Sequence, residues 1–436
     1  FNDLTRLFLR VHRKYHFITP KLNCRCSASA PREYLESIAD ALLDGHNNFA
    51  CLNDDVLIPA QIRNGKSFRD ASNYVNGGCQ ETMCEGTEHS AGAYFYFNLA
   101  ETLRLFLCGP QRPFSGEAVA AAAELLPEKW KAPERFPEFY RNVLDGYDRV
   151  LRTATGWTRK KGELYFDLHP SPLFSTTLAD CIRNRKDYTA GGARYNPSGI
   201  AMVGLPDVVN SLYAVKKACF DDGFASFETL CSAIASNWAP EYEPLRLRLR
   251  SLPRWGGGDP ELQGLAGRFS ADLTALARSL PNERGEFFQP SYFVYWTFKL
   301  FGDATGALPD GRRLGDYLAQ GIAPSRAGVS GGATEVLDFL AGIDFRDVPG
   351  NAVLDLQMPV STGMSRESLT GLLRSAFRLG VPTLQLNFVD PAELKDARIH
   401  PELHEDLLVR ISGLSALFVR LTPEVQEEIV SRYLFN

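Results

Sequence analysis

Apolar and polar positions along the chain alternate between two periods, and the clearest case lies near the C-terminal end. Residues 353–358 form a short apolar run of strand type. A helical pattern follows over 366–379, with Leu369, Leu372, Leu373, Ala376 and Phe377 on one face at i, i+3, i+4, i+7 and i+8. Ser365 is placed to cap that helix and Gly380 to end it. A second strand is expected over 383–389, and strand–helix–strand order predicts a parallel pair with a crossover helix. Further helices are expected over 32–44 (Pro31 at its start, Gly45 at its stop), 91–108, 116–126, 133–153, 206–221 and 424–433. Residues 56–60 and 200–203 read as short strands, and 237–244 and 252–260 as loops. Alternating strands and helices place the chain in the α/β class.

Composition narrows the function classes. The 436 residues suffice for a large core, and two to three domains fit that length. A formal net charge of −5, with only short basic clusters such as Arg159-Lys160-Lys161, gives no footprint for nucleic acid. No apolar run approaches the roughly 18 residues of a membrane span, and no signal peptide is visible. Nine scattered cysteines with no C-x-x-C pair suit a reducing cytoplasm and support no zinc site; His400 and His404 do not form H-E-x-x-H. The chain opens at Phe1 in mid-pattern, with Leu4, Leu7, Phe8 and Val11 at helical spacing, so a preceding segment is expected.

Two glycine-containing motifs carry the chemistry. Arg410-Ile411-Ser412-Gly413-Leu414 lies near the C-terminal end, and Gly77-Gly78-Cys79-Gln80-Glu81 lies far upstream. Either alone reads as a turn. Between them stand Thr189-Ala190-Gly191-Gly192-Ala193-Arg194-Tyr195-Asn196, Pro309-Asp310-Gly311-Arg312-Arg313 and Leu386-Asn387-Phe388-Val389-Asp390, while Gly45-His46-Asn47-Asn48 and Leu52-Asn53-Asp54-Asp55 precede them. Jointly and in order, these segments make the chain resemble the glycyl radical enzymes over nearly its whole length. The resemblance implies the second half of a ten-stranded α/β barrel with surrounding helices. It also implies a partial barrel region over 1–302, carrying the cysteine loop, and a glycine radical domain over 303–436.

In that family a protein-derived radical is stored on a backbone glycine, here Gly413, and passed to a cysteine, here Cys79. The glycine needs no Cβ where a side chain would crowd a planar Cα. No bound metal is implied. S-adenosylmethionine and an iron–sulfur cluster would belong to a separate activating enzyme, the expected partner alongside a small-molecule substrate and a second copy in a homodimer. Glu81, two residues beyond Cys79, corresponds to a general acid or base, which an elimination needs. Many dehydratases of the family follow with a segment ending W-H-D. Here it reads Glu88-His89-Ser90, so His89 and Ser90 are the candidate substrate-binding residues. The expected reaction is that of a lyase, a dehydratase or decarboxylase. Acyl transfer uses two adjacent cysteines, and Cys79 is flanked by Gly78 and Gln80. A truncated remnant or assembly subunit is the non-enzymatic alternative.

Overall fold

The computed structural model describes residues 1–433 apart from 16, 18, 90, 109–132, 326–331, 361–362 and 412. Its strands are β1 (Leu22–Cys26), β2 (Phe49–Asn53), β3 (Tyr74–Gly77), β4 (Glu81–Cys84), β5 (Ala91–Asn98), β6 (Ser198–Val203), β7 (Phe288–Ser291), β8 (Val353–Pro359), β9 (Thr383–Val389), β10 (Leu408–Ile411) and β11 (Leu414–Leu417). The chain is α/β. β5, β6 and β7 form a parallel sheet, and β1, β2, β9 and β8 form a second sheet. Within the second, β1–β2 and β8–β9 are parallel, and β2 meets β9 antiparallel.

Among the described residues a single bridge joins the two sheets. The Tyr292 N–H donates to the Asn351 carbonyl at 2.8 Å, and the Val353 N–H donates back to Tyr292 at 3.2 Å. The strands therefore run in the continuous order β5-β6-β7-β8-β9-β2-β1, with β5 and β1 as the open edges among the described strands. β6 and β9, two of the inner strands, are buried at every position, as strands covered on both faces must be. The C-terminal residues are woven into the N-terminal sheet. The Asn53 side chain donates to the Phe377 and Val381 carbonyls, and Asn47 exchanges hydrogen bonds with the backbone of Phe388.

The expected β-α-β unit is present. Helix Arg366–Arg378 is capped by Ser365, whose Oγ accepts from the Ser368 N–H at 3.1 Å, and it stops before Gly380 at φ +87°. Helix Arg32–Leu43 follows Pro31, and helix Phe136–Leu168 is longer than its pattern suggested. Two expectations need correction. Residues 56–60 belong to helix Asp54–Arg63, not a strand: the Asn53 side chain caps it at the Asp55 N–H, and its apolar residues Val56, Leu57 and Ala60 form one buried helical face. Residues 91–98 are strand β5, not the start of a helix. Their aromatic run suits a pleated surface, and the helix begins only at Leu99, where Asn98 accepts from the Glu101 N–H. The helix expected at 116–126 lies outside the described residues.

Two hairpins stand apart from this array. β3–β4 carries Cys79 at its tip, and β10–β11 carries Gly413. The second packs on a small cluster of its own, built from Val389, Leu394, Val409, Phe418, Ile429 and Val430.

Candidate active site

The β3–β4 hairpin is held at its tip and at its base. On its near side the Asn351 side chain, at the seam between β7 and β8, donates to the Gln80 carbonyl at 2.8 Å. On its far side Lys66 Nζ meets Glu88 Oε2 at 2.5 Å, with both side chains almost fully excluded from solvent, and that same oxygen accepts from the Cys84 N–H at 2.7 Å. Gly78 has φ +47°, a conformation that costs a residue with a Cβ, and a Cβ there would also come within 3.1 Å of Glu81 Oε2. The tip thus turns sharply and leaves the Glu81 carboxylate folded back over it. Glu81 Oε2 accepts from the Cys79 N–H at 2.9 Å and the Gln80 N–H at 3.0 Å.

The glycine hairpin is held by one buried cation. The Arg410 guanidinium, 2% exposed, donates to the Gly413 carbonyl, to Asn48 Oδ1 and to Ser415 Oγ, each at 3.0 Å. Burial pulls its pKa down to about 10, while the nearby charge of Asp355 acts the other way. Gly413 is buried directly against the cysteine: a Cβ built on it would lie 2.2 Å from Cys79 Cβ and 3.0 Å from Cys79 Sγ. The structure therefore brings three of the residues singled out from sequence, Gly413, Cys79 and Glu81, to one point.

Burial, reinforced by Glu81, pushes the Cys79 thiol above its ordinary range, and Lys21 and Arg410 only partly oppose this. The sulfur is accordingly S–H at neutral pH, the form that gives up a hydrogen atom rather than a proton. Two further groups face Cys79 and Glu81 that no sequence motif marked: Lys21, immediately before β1, and Tyr96 on β5. Neither residue belongs to the motifs that carry the resemblance.

His89 is placed elsewhere. Its ring packs edge-on against Phe174 and Tyr188, with centroids 5.8 and 4.3 Å away. Burial and the Arg284 charge hold its pKa down at about 4, so it is a neutral imidazole in an aromatic setting. Ser90 lies outside the described residues. The T-A-G-G-A-R-Y-N segment is a packing element: a Cβ on Gly192 would fall 1.9 Å from the Lys186 carbonyl, and the Tyr195 hydroxyl donates to Asp70. The P-D-G-R segment is another, with Arg312 donating to the carbonyls of Gly302, Thr305 and Gly306. Among the described residues no group of three metal-ligating side chains occurs, and no helix is long and apolar enough to cross a membrane.

Residues 1–300 match the family model described as pyruvate formate lyase-like, and residues 318–419 match that described as glycine radical. The chain belongs to the pyruvate formate lyase-like family. Within that family it is 26% identical to trans-4-hydroxy-L-proline dehydratase from Clostridioides difficile, over 99% of this chain and 54% of that protein. It is also 26% identical to isethionate sulfite-lyase from Bilophila wadsworthia, over 99% and 52%. Among solved structures, a glycyl radical enzyme from Archaeoglobus fulgidus superimposes with a TM-score of 0.91 at 27% identity, covering 99% of this chain and 55% of that one. The glycerol-bound glycerol dehydratase from Clostridium butyricum does so with a TM-score of 0.91 at 26% identity, covering 99% and 54%. The chain spans about half the length of these pyruvate formate lyase-like relatives.

Proposed function

We propose that this chain carries the radical-storage and hydrogen-abstraction apparatus of a glycyl radical lyase acting on a small organic substrate. The observation that supports it is the contact of the Gly413 backbone with the Cys79 side chain, with Glu81 on the same loop. In this reading a separate activating enzyme of the radical S-adenosylmethionine type, carrying an iron–sulfur cluster, removes one hydrogen from Gly413 Cα. Cys79 then gives its S–H hydrogen to that carbon and becomes the thiyl. The thiyl takes a hydrogen atom from a substrate carbon and is restored to S–H. The substrate radical expels the leaving group from the adjacent carbon as an anion while Glu81 accepts the proton of a neighbouring hydroxyl, and Glu81 then passes that proton to the departing group. The product radical recovers its hydrogen atom from Cys79, and the regenerated thiyl returns the radical to Gly413.

The geometry suits the two roles differently. Cys79 is kept protonated by burial. Glu81 has one oxygen fixed by two backbone N–H groups, and its other oxygen makes no hydrogen bond among the described residues, which leaves a lone pair for the proton. The test uses full-length protein, activated anaerobically and offered trans-4-hydroxy-L-proline, isethionate, glycerol and 1,2-propanediol. Electron paramagnetic resonance should show a doublet from the single remaining α-hydrogen. Cys79→Ser should keep that signal without turnover. Glu81→Gln should keep the signal and the exchange of substrate hydrogen, but lose product formation by a factor on the order of 10²–10⁴. A doublet that survives in Gly413→Ala overturns the reading.

A further inference from the structure

Lys21 directly precedes β1, and the Leu22 N–H after it donates to the Asn48 carbonyl at 3.0 Å. Asn48 is the residue whose side chain holds the Arg410 guanidinium, which in turn holds the Gly413 carbonyl. Lys21 therefore sits at the end of the sheet where the two hairpin tips meet. The ionisable groups that act on it are Arg410, Cys79 and Glu81, those of the site itself. Its Nζ is shut off from solvent and makes no hydrogen bond with any described residue.

A cation removed from water is stable only with an anion or acceptors beside it. None of the nearby groups is hydrogen-bonded to it. Glu81 offers its Oε2 to two backbone N–H groups, Asp355 is engaged by the side chains of Asn387 and Gln357, and Cys79 is a protonated thiol. A ligand entering where the two hairpin tips meet can supply the missing partner.

We infer that Lys21 anchors an anionic oxygen group of the substrate, a carboxylate or sulfonate, beside Cys79. This names a substrate class for the proposed lyase and rests on that reading. It places Lys21 as a specificity-determining contact: an ammonium is a point charge that accepts either oxyanion, and a neutral diol would leave it unpaired.

The experiment needs no radical, so its outcome is separable from that of the lyase reading, which is scored by the paramagnetic signal. Full-length, unactivated protein is incubated with 3-hydroxypropanoate, 2-hydroxyethanesulfonate or the neutral propane-1,3-diol. Protection of Cys79 from iodoacetamide is then followed by mass spectrometry of its peptide. At least one anion should protect on the order of 10- to 100-fold more tightly than the diol, the worth of a charged hydrogen bond. Lys21→Met should erase that preference while leaving diol protection unchanged, and Lys21→Arg should keep it. Equal protection by anions and diol in the wild type overturns the inference. So does a Lys21→Met protein that keeps the preference, or one that weakens anions and diol alike, which would make Lys21 a counter-charge to Glu81.

Discussion

The backbone of Gly413 lies so close to the side chain of Cys79 that a methyl group at 413 would sit 2.2 Å from Cys79 Cβ. Neither residue has room to yield alone, because Arg410 holds the glycine's carbonyl and Glu81 and Asn351 hold the cysteine's loop. Gly413→Ala should therefore destabilise the protein by about 1–3 kcal/mol through overpacking, apart from any loss of radical. In a Cys79→Gly background, where no Cβ opposes the methyl, the same substitution should cost much less. Denaturant unfolding of the four proteins in this cycle measures the coupling; an additive result would show that the two tips are not in contact.

The Lys66–Glu88 pair predicts a second effect. Both side chains are buried, and Glu88 alone ties Lys66 to the backbone of Cys84 at the base of the cysteine hairpin. Glu88→Ala leaves a buried ammonium with only the neutral Gln61 Oε1 as acceptor and should cost about 3–5 kcal/mol. Replacing both residues, as Lys66→Met with Glu88→Leu, should recover much of that loss, since no charge is then left without its partner. Thermal unfolding would report both, and a Glu88→Ala protein with unchanged Tm would show that water reaches Lys66.

Asp207 gives a pH dependence. It lies fully buried in the first turn of helix Leu205–Val215, where its Oδ2 accepts from the Ala319 N–H at 2.8 Å. Burial, and after it the charge of Asp310, raises its pKa from 3.8 to about 7. A raised folded pKa means that the folded state binds the proton more tightly than the unfolded state. Its contribution to stability is complete below about pH 4, is lost as pH rises towards 7, and stays lost above that. Asp207→Asn, which keeps an oxygen for Ala319, should flatten this slope and raise stability at pH 8. Urea midpoints at pH 5 and pH 8 check it, and equal slopes in both proteins would refute it.

The sequence carried the β8–helix–β9 unit almost to the residue because three local signals agree there: the apolar stripe, a serine cap and a stop glycine. Residues 56–60 misled because five apolar positions are too few to tell a strand from one face of a short helix. Residues 91–98 misled because an aromatic run continues into a real helix without a break, and only the capping role of Asn98 marks the change. The pairing of Cys79 with Gly413 was legible from motifs. Asn48 stood in one of the resembling segments, but its hold on Arg410 did not show there, and Lys21 and Asn351 stood in none; Asn48 and Asn351 act through contacts with residues hundreds of positions away, which no local pattern encodes.

The placement of β9 between β8 and β2 sets a timetable for synthesis. Asn53 closes its hydrogen bond on the Phe377 carbonyl, 324 residues further along. At about 5–20 residues per second a ribosome needs roughly 20–60 s to cover that interval. Through that time β2 has left the exit tunnel with the edge that β9 will cover unpaired, in a chain whose early segments already expose apolar strands. Rapid folding of the first three hundred residues cannot shorten this wait, because the missing partner has yet to be made. Until residues 383–389 emerge, that edge of β2 is open to pairing with any other extended segment, so the growing chain carries an aggregation-prone strand edge for most of this interval.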